Sequence, residues 1–192
     1  MAVEFYTWNT PNGRKISVAL EEMGLAYNVH PVNISKNEQF APDFLKISPN
    51  NRIPAIVDTD GPGGQPISVF ESGAILIYLG QKTGKFYPTD PRKQVPVLEW
   101  LMWQMGGFGP MPGQVHHFLQ VENAQDQRYG LERYSKETAV CMACWTGNWP
   151  ITNTWRANAR SPISRFWAGP GGMSGTRLIW RISPRSRAGT QR

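Results

Sequence analysis

Ser48-Pro49-Asn50-Asn51-Arg52-Ile53-Pro54-Ala55-Ile56-Val57 and, after a Gly/Pro turn, Ser68-Val69-Phe70-Glu71-Ser72-Gly73-Ala74-Ile75 form the stretch whose reading decides the fold. A proline entering an apolar strand cannot donate a ladder hydrogen bond, so Pro54 marks a strand start. Ile53-Pro54 is also a candidate cis bond, which would turn the Ile53 backbone outward toward a ligand. At the second end, Glu71-Ser72-Gly73 stands directly before the apolar run Ala74 to Leu79. That places an acid, a hydroxyl and free backbone N–H groups at a helix N-terminus, a natural seat for a ligand carboxylate.

Between these ends, Pro54 to Asp58 and Pro66 to Phe70 flank Thr59-Asp60-Gly61-Pro62-Gly63-Gly64, which predicts an antiparallel hairpin. The helix that follows is predicted from Glu71 to Thr83-Gly84. Upstream, Glu4-Phe5-Tyr6-Thr7-Trp8 reads as a short strand, and Thr10 can cap a helix whose first turn takes Pro11. Ile16, Ala19, Leu20 and Met23 recur at helical spacing until Gly24 closes the helix. Ala26 to Val32 alternates as a second strand, and Ser35 to Ile47 is a looser segment anchored by Phe40, Phe44 and Leu45. A parallel βαβ half followed by a hairpin and a helix predicts a thioredoxin-like α/β domain over residues 1–87.

Residues 88–139 read as the start of an all-α domain. Asp90 caps a helix with Pro91 in its first turn, and Leu98, Leu101, Met102 and Met105 supply its apolar stripe. Pro96 is expected to shorten or kink that helix near its start. Gly106 to Gly113 interrupts the helical pattern, which Tyr129 to Ala139 resumes. Residues 140–192 form a third region, with five of the chain's eight Trp, eight Arg and no Lys, Asp or Glu. Without a helical or strand period, this composition fits neither a folded helix pair nor a polar linker. Reading the underlying bases one position back permits amphipathic helical strings in its place, so the tail is read as out of frame and the helical domain as incomplete.

The net charge of +6 is confined to that tail, because residues 1–139 carry twelve Lys and Arg against fourteen Asp and Glu. A basic face for nucleic acid is therefore not expected of the folded part. No apolar run approaches the ~20 residues of a membrane helix, and the N-terminus lacks the basic start and apolar core of a signal peptide. The expectation is a cytoplasmic protein without membrane or nucleic-acid partners.

The motifs above, with Thr10-Pro11-Asn12-Gly13, Gly106-Gly107-Phe108-Gly109-Pro110-Met111, Gly113-Gln114-Val115-His116-His117-Phe118 and Glu132-Arg133-Tyr134, resemble the glutathione transferases. Within them the chain looks most like the bacterial nu-class enzymes that act as glutathione-dependent disulfide reductases. The resemblance runs to about Ala139. It implies glutathione as co-substrate, a small-molecule or protein disulfide as partner, and a homodimer, the last in doubt for a shortened helical domain. Conjugation of glutathione to electrophiles and glutathione binding without catalysis stand beside disulfide reduction as alternatives, as does an inactive frameshifted fragment.

No cysteine precedes Cys141, so the attacking thiol has to arrive with the ligand. Thr10 and Asn12, at the start of the first helix, are the candidate catalytic residues, donating hydrogen bonds to that thiolate with the helix dipole behind them. Tyr6 is a competing candidate, although its place in the strand suits a core aromatic equally well. The resemblance assigns Ile53, beside Pro54, to the cysteinyl unit of glutathione, Glu71 and Ser72 to the γ-glutamyl end, and Gln39 and Arg52 to the glycyl end. Arg133 could reach the site from the second domain or be a solvated helix charge. Cys141-Met142-Ala143-Cys144 has a redox spacing but lies far from the strand-to-helix loop where such a pair acts. His116-His117 lacks further ligands at metal spacing, and no metal is expected.

Overall fold

The computed structural model describes residues 2–148. β1 (Val3–Thr7) leads into α1 (Pro11–Met23), and β2 (Tyr27–Pro31) returns parallel to β1, completing a βαβ unit. The chain passes through single 3-10 turns at Ile34–Lys36 and Glu38–Phe40 and a short α2 (Pro42–Ile47). β3 (Ala55–Asp58) and β4 (Ile67–Phe70) then pair antiparallel, and β3 also runs antiparallel to β1. The sheet order is β2-β1-β3-β4, and α3 (Ser72–Thr83) follows directly on β4. This is the expected thioredoxin-like arrangement, with element ends moved by a residue: Glu71 caps α3 instead of opening it, and Pro66 lies just outside β4.

The ends of α1 follow from its sequence. Thr10 has extended φ/ψ, and its Oγ1 accepts the Gly13 N–H at 3.1 Å, while Gly24 at φ 71° takes the left-handed cap that costs other residues steric strain. Gly13 meets a different demand: a Cβ there would lie 2.4 Å from Thr7 Oγ1 and 2.6 Å from the Trp8 carbonyl oxygen. Only a glycine lets the first turn of α1 press onto the end of β1, which fixes where that helix N-terminus points.

Strand alternation sorts the core onto the two faces of the sheet. Val3, Phe5 and Ile56 face Ile16, Ala19, Leu20 and Met23 of α1 and Ile75 and Leu79 of α3, all buried. On the opposite face Ala55 packs with Val32 and Phe44, with Tyr6, Ile47 and Ile53 around them. At the far end of the sheet the buried Asp58 accepts hydrogen bonds from Lys82 Nζ at 2.7 Å, the Asp60 N–H at 3.0 Å and Tyr78 Oη, tying β3 to α3.

The helical region departs from expectation in three places. α4 (Pro91–Trp103) continues through Pro96, which lies inside the helix and does not end it. The glycines after Met105 do not break the helical path. They form a π turn, Gln104–Phe108, with Gly109 N–H bonded to the Gln104 carbonyl at 2.8 Å, and α5 (Pro110–Phe118) follows directly. α6 (Ala124–Asn148) starts before Tyr129 and runs past Ala139, so the change of composition at Val140 is not a helix end. The rest of the tail read as out of frame, residues 149–192, lies outside the described residues.

Aromatic rings knit this region together. Trp103 stacks on Phe108 at 4.9 Å between centroids, Phe108 meets Trp145 edge-on, and Phe118 stacks on Tyr134. Gly130 of α6 lies under the Phe118 ring, where any Cβ would come within 2.2 Å of Cδ1.

Candidate functional site

The strand register gathers the site at one end of the sheet. Tyr6 pairs with Ala55 and Ala55 with Phe70, while Thr7 pairs with Pro31. The segment leaving β1 at that end carries Thr10 and Asn12, and the segment leaving β2 carries Gln39. Arg52, Ile53 and Pro54 enter β3 there, and Glu71 and Ser72 leave β4. All the predicted site residues except Arg133 thus come from connections at a single sheet end, where loops on a rigid scaffold commonly carry function. Ile53–Pro54 is cis, as the sequence reading expects.

Local bonding holds these connections in shape. The Ser48 hydroxyl, fully buried, donates to the Arg52 carbonyl at 2.8 Å, and the Asn51 N–H reaches back to the Ser48 carbonyl at 2.9 Å. Glu71 sits at φ 70°, a left-handed conformation unusual for a non-glycine residue and typical of ligand-binding turns. Its carboxylate lies 3.5 Å from Asn50 Nδ2, which links the approach to β3 with the cap of α3. Ser72 is 3% exposed.

Three features make this end receptive to an anion and to a peptide. Thr10 Oγ1 accepts from Gly13, which leaves its own proton to donate outward. Asn12 is exposed on the first turn of α1, so both groups stand at the positive end of that helix. Gln39 Oε1 is buried without a hydrogen-bond partner among the described residues, an unmet acceptor of the kind a ligand N–H satisfies.

Lys15 was missed by the sequence reading. It is buried on α1, with Nζ 3.2 Å from Gln104 Oε1 and 3.7 Å from Met105 Sδ of the π turn. Burial draws its pKa down to about 8, partly offset by the negative charge of Glu71. The signal was one of phase: Lys15 lies four residues before Ala19 and beside Ile16, at the edge of the apolar stripe.

The first 81 residues match the model of the glutathione S-transferase N-terminal domain. The chain belongs to the glutathione transferase family. It is 51% identical over 137 residues to the disulfide-bond oxidoreductase YfcG of Escherichia coli, a match covering 71% of this chain and 63% of that protein. A glutathione transferase family member from Pseudomonas fluorescens, solved with two glutathione molecules bound, superposes with a TM-score of 0.72 at 45% identity, over 75% of this chain and 64% of that one. A glutathione transferase from Pseudomonas putida, solved with glutathione disulfide bound, gives a TM-score of 0.72 at 43% identity, over 77% and 64% of the two chains. The chain thus spans somewhat less than two thirds of the length of these relatives.

Two further candidates are Tyr6, at the sheet end, and Arg133, on α6. The Tyr6 ring stacks on His30 at 4.6 Å and packs against Phe44, on the face of the sheet opposite α1, where it joins the edge of the core. Arg133 is exposed on α6, and no hydrogen bond among the described residues joins it to the sheet end. Cys141 and Cys144 lie on α6, in the helical region. Among the described residues no cluster of His, Cys, Asp and Glu is arranged to hold a metal ion, and no helix is long and apolar enough to cross a membrane.

Proposed function

We propose that the chain binds glutathione at the sheet end and catalyses glutathione-dependent disulfide reduction. The observation that carries this reading is the combination of a site built for a peptide anion with the absence of any cysteine before Cys141. The thiol that reacts is then the ligand's. Thr10 and Asn12 donate to its sulfur and favour the thiolate, which attacks one sulfur of a disulfide. A mixed disulfide with glutathione forms, and the other sulfur leaves as a thiolate that takes up a proton. A second glutathione thiolate attacks the mixed disulfide, releasing the reduced product and glutathione disulfide. The electrons come entirely from two glutathione molecules.

The remaining assignments belong to the same reading. Ile53, at the cis bond to Pro54, pairs through its backbone with the cysteinyl unit. Glu71 and Ser72 take the γ-glutamyl ammonium and carboxylate, and Gln39 and Arg52 the glycyl end, with Arg133 reaching in from α6. Residues 1–87 form the ligand-binding domain and residues 88–139 the start of a helical one. The acid-free stretch from Val140 is an out-of-frame tail, which resequencing the gene across Ala139 tests. A cytoplasmic setting completes the reading.

The decisive experiment follows glutathione disulfide formation from glutathione and a small disulfide, with product analysis in a parallel reaction offering an electrophile. Glutathione binding without turnover above the uncatalysed exchange overturns the reductase reading. Asn12→Ala should slow the exchange about tenfold or more, because losing one hydrogen bond to a charged acceptor typically costs ~1.5–3 kcal/mol, with glutathione affinity changed much less. An Asn12→Ala chain as fast as wild type would transfer the role to Thr10 or Tyr6.

A further inference from the structure

Lys15 has no part in the exchange outlined above, yet it stands directly beneath the site. It is 6% exposed, its Nζ is 3.7 Å from Met105 Sδ, and the same sulfur is 3.6 Å from Ser72 Oγ. Ser72 opens α3 and Glu71 caps it. The ammonium therefore lies below the first turn of α3, close enough to Glu71 for the two charges to act on each other. Taking an ammonium out of water is costly, and the cost shows in its lowered pKa. Its hydrogen bond to Gln104 Oε1 at 3.2 Å does not by itself call for a charge, since a neutral donor would satisfy that amide without the desolvation of an ammonium. Charges held at such expense cluster where they act on a ligand.

We propose that Lys15 is a specificity-determining positioning residue. Its ammonium beneath Ser72 and the Glu71 carboxylate at the α3 cap form two opposite charges that select a ligand ending in a zwitterionic α-amino acid. The ammonium favours the ligand's α-carboxylate on the Ser72 hydroxyl and N–H, and Glu71 takes the ligand's α-ammonium. This rests on the glutathione reading and deepens it, because the γ-glutamyl end of glutathione is such a zwitterion. A peptide thiol without that end would be refused.

The test uses the full chain and two ligands with blocked thiols, so that thiolate chemistry does not enter: S-methylglutathione, and the same compound with its γ-glutamyl α-carboxylate converted to the carboxamide. Binding is measured by calorimetry for wild type, Lys15→Met and Lys15→Arg. Lys15→Met should weaken S-methylglutathione about tenfold or more while changing the carboxamide by less than about twofold, and Lys15→Arg should retain most of the preference. The methionine relieves the desolvation of the ammonium but takes the donor from Gln104 Oε1, so the Lys15→Met chain should stay folded at pH 7 with a small change of stability. Equal weakening of both ligands, or an unfolded Lys15→Met chain, would show that Lys15 serves the scaffold and overturns the proposal, as would unchanged binding. A wild-type chain that binds neither ligand overturns the glutathione reading itself, and this proposal with it.

Discussion

The sheet region and the helical region treat apolar surface in opposite ways. In the sheet region Phe5, Ile16, Leu20, Ile56, Ile75 and Leu79 are fully buried in a core closed by α1 and α3. In the helical region Leu101 and Phe108 are the large hydrophobics buried among the described residues, while Val95, Met102, Leu119, Tyr129 and Val140 are each more than half exposed. The sheet region thus has a closed apolar core, whereas the packing seen in the helical region includes the ring contacts of Trp103, Phe108 and Trp145 and of Phe118 and Tyr134. The candidate site stands on the closed core, and the helical region lends it one wall through Gln104 and Met105, which meet Lys15 and Ser72.

The sharpest way to break this contrast is to delete the same side chain from each region. Leu79→Ala should cost about 3 kcal/mol or more, since it opens a cavity between α3 and the sheet that the surrounding strands cannot collapse into. Leu119→Ala, at a residue 58% exposed, should stay within about 0.5 kcal/mol. Urea unfolding of both variants reads the difference directly. Equal losses would mean that the helical region has a closed core of its own.

A smaller effect is expected at the far end of the sheet. Burial alone would push the Asp58 carboxyl up, but the hydrogen bonds from Lys82, Tyr78 and the Asp60 N–H outweigh it and hold the carboxyl below its ordinary value of 3.8. A depressed carboxylate stabilises the fold above its unfolded value and loses that contribution as the pH falls through its folded one. Asp58→Asn should therefore cost about 2 kcal/mol at pH 7, discounted from a fully buried pair because Lys82 is partly exposed. The gap to wild type should narrow once the pH drops below 3.8. Thermal unfolding across pH 2 to 7 tests this, and a gap independent of pH would locate the effect in packing instead of charge.

The contrast between regions also explains what the sequence revealed. Thr10-Pro11, Gly24 and Asp90-Pro91 carry their structural role in local chemistry, so caps and starts could be read without a fold. The two ends of the hairpin were likewise legible, because Pro54 and the Glu71-Ser72-Gly73 cap each impose a backbone geometry on their own. Lys15 was not legible, because its burial comes from the π turn 89 residues away, and a lysine at the edge of a helical stripe looks solvated until that turn covers it. Gly106 and Gly107 read as a break because glycine lowers helix propensity. Here the i→i+5 bond of Gly109 and the stacking of Trp103 on Phe108 override propensity. The continuation of α6 beyond Ala139 was hidden for a related reason: a short helical stretch with no charge pattern borrows its packing from neighbours, as Trp145 does from Phe108.

The smallest expected effect bears on which region does the chemistry. Cys141 and Cys144 stand three residues apart on α6, and a CxxC pair in a thioredoxin-like protein invites a redox role. Their surroundings argue against it. Cys141 Sγ lies against the π turn, 3.5 Å from where a Cβ on Gly107 would be. Burial, followed by the charges of Glu137 and Cys144, pushes its thiol above the ordinary value. Such a thiol is protonated at neutral pH, and the thiolate is the nucleophile. If the attacking sulfur belongs to glutathione at the sheet end, replacing both cysteines by serine should leave glutathione-dependent disulfide exchange within about twofold of wild type. A steady-state assay of the double variant beside Asn12→Ala compares the two regions directly. Activity lost in the serine variant and kept in Asn12→Ala would move the chemistry from the sheet end to α6, and the ligand-thiol mechanism would fall.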